Sequence, residues 1–221
     1  MKKTFVLIVL FALPVSIYIL FATSANNFAH LPVLTKNIEH LQHFKSLDGK
    51  DLQLDGTITI LAIYGESIRK MEGNAYNLNE IIYKANYKYK DVQFIAMAEN
   101  GTQNQARTLL KKLGKTTDTR KWNFAFGSLS DIQAFFDSLH TDISLNEDKA
   151  TPFVFIIDKE GNLRGRKKRD KHSQAETLYG YDTRHISPLK NDMEDDVKVM
   201  LAEYRLKLKK NQEHIEKKTT P

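Results

Sequence analysis

The stretch Thr151-Pro152-Phe153-Val154-Phe155-Ile156-Ile157-Asp158-Lys159-Glu160-Gly161 (TPFVFIIDKEG, 151–161) decides the fold. Phe153 to Ile157 is an unbroken apolar run with β-branched members, the composition of a strand covered on both faces. Asp158 to Gly161 reads as a hairpin turn, and Asn162 to Arg166 as the returning strand. Pro152 has no N–H to give to a ladder, so it belongs at a strand's start, where a trans proline is tolerated.

Outward from this hairpin the same signal recurs. Ile58 to Tyr64 (ITILAIY) and Val92 to Ala98 (VQFIAMA) read as buried strands, and Trp122 to Phe126 as a shorter one. Asn77 to Tyr87 carries apolar residues at 78, 81, 82 and 85, which is helical spacing. Gln103 to Leu113 is a helix stopped by Gly114, and Asp131 to Leu139 a helix with Ser130 as its N-cap. Leu189, Met193, Val197, Met200, Leu201, Tyr204 and Leu208 mark one face of a long final helix. Near the start, Asp48-Gly49 is a turn signal between two short edge strands in Phe44 to Leu54. This order predicts an α/β domain over 44–208, a mixed sheet between helical layers. Residues 23–43 read as a connector and 209–221 as a polar basic tail.

Phe5 to Ala22 (FVLIVLFALPVSIYILFA) has no charge and follows two lysines. It is longer than the apolar core of a secretion signal and long enough for a membrane span. The expectation is a transmembrane anchor over 5–22, with 1–4 cytoplasmic and the domain facing the periplasm from the inner membrane. An apolar signal cleaved after Ala25 is the alternative. Lys plus Arg is 33 against 27 for Asp plus Glu, and the excess lies in Arg164 to Lys171 and in the tail. No aromatic residues interleave with that basic run, so a nucleic-acid surface is not expected. The sequence has no cysteine, which removes disulfides, thiol catalysis and thiolate metal ligands.

The segments ITILAIYGESIRKM, VQFIAMAE, KWNFAFGSLSDIQAFFDSL and ATPFVFIIDKEGNLRGR together resemble the Sco (SenC) family of thioredoxin-fold proteins. The resemblance spans roughly residues 44 to 208. It implies a thioredoxin-like sheet and a cis-proline at Pro152, facing the tip of the first helix. It also implies copper held by a CxxxCP motif and a histidine, serving the copper centre of cytochrome c oxidase. Laid on YGESIRKM, that motif places the cysteines at Tyr64 and Ile68, the proline at Arg69 and the histidine at Ala150. All three ligands are missing. Soft thiolates select Cu(I), and neither tyrosine nor isoleucine replaces them.

Other candidates are weaker. Met71 and Met97 suggest a thioether site, but Met97 lies in a strand pattern and reads as core. His40 and His43 share a possible helix face without a third ligand, and His140 suits a helix C-terminus. Asp192 and Asp196, one helical turn apart, are accounted for by Lys198 and solvent. Gly65 to Gly73 lies above a strand end, where α/β folds place ligands, and offers Glu66, Arg69 and Lys70 as contacts. Tyr179 and Tyr181 in LYGYD are candidates for packing or for a partner contact. The expectation is a redox-inactive, non-enzymatic binding or assembly factor of the cell envelope, using no cofactor or metal and contacting another envelope protein. The alternatives are a copper chaperone or thiol-related factor with a non-standard site, and a small-ligand-binding domain.

Overall fold

In the computed structural model, residues 3, 10–19, 30–167 and 176–219 are described. Strand β2, Ile58–Gly65, is buried at every position, because it has a strand on each side and helices over both faces. It pairs in parallel with β3, Val92–Glu99, through Ile60 opposite Phe94. On its other side it pairs antiparallel with β5, Thr151–Ile157, through Ile60 opposite Ile156. β4, Trp122–Gly127, extends the parallel side. β6, Leu163–Arg164, and β1, Val33–Thr35, extend the antiparallel side, giving the order β1-β6-β5-β2-β3-β4. A short β7, Tyr181–Asp182, also pairs with β5.

The alternation of side chains along β2 divides the core in two. Ile58, Ile60, Ala62 and Tyr64 belong to one apolar cluster. That cluster includes residues of α1, Glu72–Leu78, α2, Gln103–Leu113, and the long α4, Glu194–Thr219. Leu61 and Ile63 face the other cluster, with Ile132, Phe135 and Phe136 of α3, Leu129–Ser138. α1 is preceded by a 3-10 turn, Ile68–Met71, and continues through a π-helical turn, Asn79–Tyr83. A second π-helical turn, Leu189–Met193, leads into α4.

Several expectations need correction. Among the described residues no helix is long and apolar enough to cross a membrane. Positions 5–9 and 20–22 of the expected span lie outside the described residues. The single-pass anchor, the membrane partner and the inner-membrane topology are therefore withdrawn. The expected connector is part of the domain from residue 31 onward, because Leu31, Ile38 and Leu41 are buried and β1 pairs with β6. The cap of α3 is Ser128, in a reciprocal capping box with Asp131, and not Ser130. The described residues contain no cis peptide bond, so the Thr151–Pro152 bond is trans. The ladder explains why this is tolerated. Ala62 pairs with Val154 but Ile63 pairs with Thr151, so Pro152 and Phe153 form a bulge facing β2 and no ladder donor is missed. The basic tail is helical as far as Thr219.

The hairpin after β5 carries the most buried charge cluster. Arg164, only 4% exposed, donates through Nη1 to Asp158 at 3.0 Å and through Nη2 to Glu203 at 2.7 Å. Its Nε donates to the Leu31 carbonyl at 2.7 Å. Arg166 forms a second tie, to Asp196 at 2.8 Å and Asp192 at 2.6 Å. These arginines, and not Lys198, account for the acidic face of α4. Lys198 pairs instead with Glu194 and Asp195.

Burial opposes ionisation of Glu203, but Arg164 and Lys207 outweigh it and hold its pKa below the ordinary 4.5. A lowered folded-state pKa stabilises fully above the unfolded value and loses that contribution as pH falls through the folded value. Urea unfolding from pH 7 to pH 3 should therefore show stability falling below about pH 4.5. In Glu203→Gln this component of the fall should be absent. Arg164→Ala strips the buried Asp158 carboxylate of its ion pair and leaves Glu203 with Lys207 alone, and should cost about 3–5 kcal/mol at pH 7.

Candidate functional site

The site begins where β2 ends. Gly65 has a φ of +56°, and a Cβ there would lie 2.0 Å from the Asp148 carbonyl oxygen and 2.5 Å from that of Lys149. Only glycine allows the backbones to approach so closely. The Glu66 N–H then donates to the Asp148 carbonyl at 2.8 Å. The opposing loop is tied to itself: the Asn146 side chain accepts from Ala150 N at 2.9 Å, and Asn146 N donates back to the Ala150 carbonyl at 2.9 Å. The segments carrying Tyr64 and Ala150 are thus fastened side by side.

From here the 3-10 turn sends its first and fourth residues inward and the two between them outward. Ile68 and Met71 are buried, whereas Arg69 and Lys70 are exposed. Tyr64, Ile68 and Ala150 are 2%, 1% and 3% exposed and belong to one apolar cluster. The ring of Tyr64 packs tilted on Phe124, with centroids 6.4 Å apart. Burial raises its phenol pKa well above the ordinary value, and its buried hydroxyl has no hydrogen-bond partner. Tyr64, Ile68 and Ala150, onto which the sequence resemblance lays the copper ligands, are core-packing residues. With no cysteine in the sequence, neither thiolate ligation nor thiol exchange is available to them.

Above this plug lies a polar rim. Lys70 reaches Asp148 at 2.7 and 2.9 Å; the carboxylate's hydrogen bond and charge raise the Lys70 pKa. Glu66 is exposed beside them. Tyr179 and Tyr181 fall elsewhere. Tyr181 is fully buried in β7 and its hydroxyl donates to Asp196 at 2.7 Å, so it offers no contact surface. Tyr179 is half-buried against the α3 side of the core. Sequence reasoning missed Thr183. It accepts from Asn74 at 2.7 Å and Asn77 at 2.9 Å, and its hydroxyl and N–H both donate to the Pro152 carbonyl. This chain fastens α1 to the start of β5, and the one visible signal for it was amides at helix positions facing a loop. Met97 is fully buried in β3. Among the described residues no three His, Asp or Glu side chains converge as a metal site would require. Residues 168–171 of the basic run lie outside the described residues; its first arginine, Arg164, is core rather than surface.

An unpartnered buried hydroxyl costs about 1–3 kcal/mol. Tyr64→Phe keeps the ring and removes that cost, so chemical denaturation should show a gain of about 1 kcal/mol. Loss of stability would mean the hydroxyl is satisfied. Gly65→Ala should cost more than about 2 kcal/mol, since strain and a backbone clash coincide.

No family model and no curated protein matches the chain. Solved structures do. A SCO1/SenC family lipoprotein from Bacillus anthracis str. Ames superposes with a TM-score of 0.55 at 18% identity, covering 77% of this chain and 99% of that one. BsSco, a member of the Sco family of cytochrome c oxidase assembly proteins, gives a TM-score of 0.53 at 15% identity over 78% of this chain and 98% of its own. At such identities the likeness is one of fold: the chain has a thioredoxin-like, Sco/SenC-like fold, built without cysteine.

Proposed function

We propose that this chain is a non-catalytic Sco-like domain that acts by binding another protein through the rim formed by Glu66, Arg69 and Lys70. One observation carries the reading. The ground beneath the rim is a sealed apolar plug of Tyr64, Ile68 and Ala150, while the rim above it is charged, exposed and held on a rigid strand end. A surface that is stiff before contact loses little conformational entropy on binding. The neighbouring Lys70–Asp148 pair adds charge pattern, which favours recognition of one partner over others.

Two measurements test this. A photo-crosslinking amino acid placed at Glu66 or Lys70 should capture one defined protein in cells that express the chain, whereas the same group at exposed Lys50 should not. The single reversal Arg69→Glu, at a guanidinium outside the Lys70–Asp148 pair, should abolish capture without changing the thermal midpoint. Identical capture from all sites, or none, would sink the proposal. Cu(I) titration of the full chain separates the chaperone alternative: stoichiometric submicromolar binding would replace this reading with a metal-carrying one.

A further inference from the structure

The turn that joins β3 to α2 carries the sequence's only asparagine followed by glycine, Asn100-Gly101. The Thr102 N–H donates to the Glu99 carbonyl at 3.2 Å, so Asn100 and Gly101 form the centre of a four-residue turn. The ends of this turn are fixed. The Asn100 N–H donates to the Gly127 carbonyl at 2.9 Å, and the Thr102 hydroxyl donates to the Glu99 carbonyl at 2.7 Å. Its centre is open. Asn100 and Gly101 are exposed, and among the described residues the Asn100 side-chain amide has no partner. Gly101 has a φ of +99°, and no atom beyond its chain neighbours lies within 4 Å of where a Cβ would stand. The Gly101 N–H belongs to neither ladder nor helix; it donates to the Gln103 side-chain carbonyl at 2.9 Å, at the surface. Other asparagines are differently placed. Asn79 and Asn86 are buried, and the side chains of Asn74, Asn77 and Asn162 are held in hydrogen bonds.

Bonding an asparagine's side-chain carbon to the next residue's backbone nitrogen closes a five-membered ring. A side chain on that next residue crowds the approach. Glycine has none and takes either sign of φ, so the peptide plane can turn into reach. We propose that Asn100 is a site of self-modification. Gly101 N gives its proton to water and bonds to Asn100 Cγ; the Cγ–Nδ2 bond breaks, and the departing nitrogen takes a proton and leaves as ammonia. Water then opens the resulting succinimide. Breaking the ring at Cγ gives aspartate, and breaking it at the main-chain carbonyl gives isoaspartate. Water is the only co-reactant, and nothing is oxidised or reduced. Either product adds a negative charge just ahead of α2, where the helix dipole favours it. The charge stands two residues beyond Ala98, which pairs with Gly65, and so at the same end of the sheet as the rim. Isoaspartate also lengthens the main chain at the head of the helix whose Gln105 accepts from the Arg69 N–H. This inference does not depend on the protein-binding reading.

The test holds the full chain at mildly alkaline pH and digests samples with trypsin at intervals. The free peptide Ala-Glu-Asn-Gly-Thr-Gln, matching 98–103, is the reference. Fragment 91–107 should gain one mass unit, localised to Asn100 by fragmentation, at a rate within about tenfold of the peptide's, because an exposed turn opens at little cost. An isoaspartyl methyltransferase should label the same fragment. Asn100→Gln, which would have to close a six-membered ring, should lose both signals at an unchanged thermal midpoint. A folded chain that stays intact while the peptide converts overturns the proposal. Equal conversion at other asparagines does so too. Aspartate without isoaspartate would also overturn it, since that means direct hydrolysis of the amide with no ring.

Discussion

A single buried guanidinium joins parts of the chain that share no secondary structure. Arg164 bonds the segment before β1 through the Leu31 carbonyl, the hairpin turn through Asp158, and the last helix through Glu203. Removing an arginine from water is costly, and the cost is offset only because its bonds have good geometry and a charged or carbonyl acceptor. The arrangement therefore selects one docking of α4 and one pairing of β1 over alternatives that would leave a charge stranded. Arg166, two residues on, repeats the device at the other end of the same helix face. With α4 so placed, Met193, Val197, Met200 and Tyr204 close the cluster that contains Tyr64 and Ile68.

The site then follows from what lies beneath it. In a thioredoxin-like sheet the end of the central strand and the loop before β5 meet whatever residues they carry. Here Gly65 keeps that meeting close, and apolar side chains fill the space beneath it. What remains on the solvent side is charge: Glu66, Arg69 and Lys70 are exposed there.

The strands were legible from sequence because buried sheets need near-continuous apolar runs, and 58–64, 92–98 and 153–157 are apolar except for Thr59 and Gln93. Tyr64, Ile68 and Ala150 were singled out only by laying a resembling family's motif on the sequence; their burial in one apolar cluster is what the fold adds. Other features were hidden by physics that acts at long range. Nothing local distinguishes Arg164 from its basic neighbours; only Glu203 and Asp158, brought to it by folding, make it a core residue. Leu31 and Ile38 looked like linker because strand β1 is three residues long and draws its pairing from β6. Tyr181 could read as a surface aromatic until Asp196 was placed beside it. At the N-terminus, hydropathy alone suggested a span that the described helix does not provide.

The neighbours of β2 are acquired at very different times during synthesis. β3 follows within one helix, whereas β5 begins only at Thr151 and the partner of β1 only at Leu163. A nascent chain emerging N-terminus first can assemble the parallel half of its sheet while the other edge of β2 still lacks its strand. Until the second half arrives, an apolar strand with a free row of N–H and C=O groups stays open to wrong partners. Completion of the fold is thus gated by the last third of the chain, and any truncation that releases the product early would expose that row.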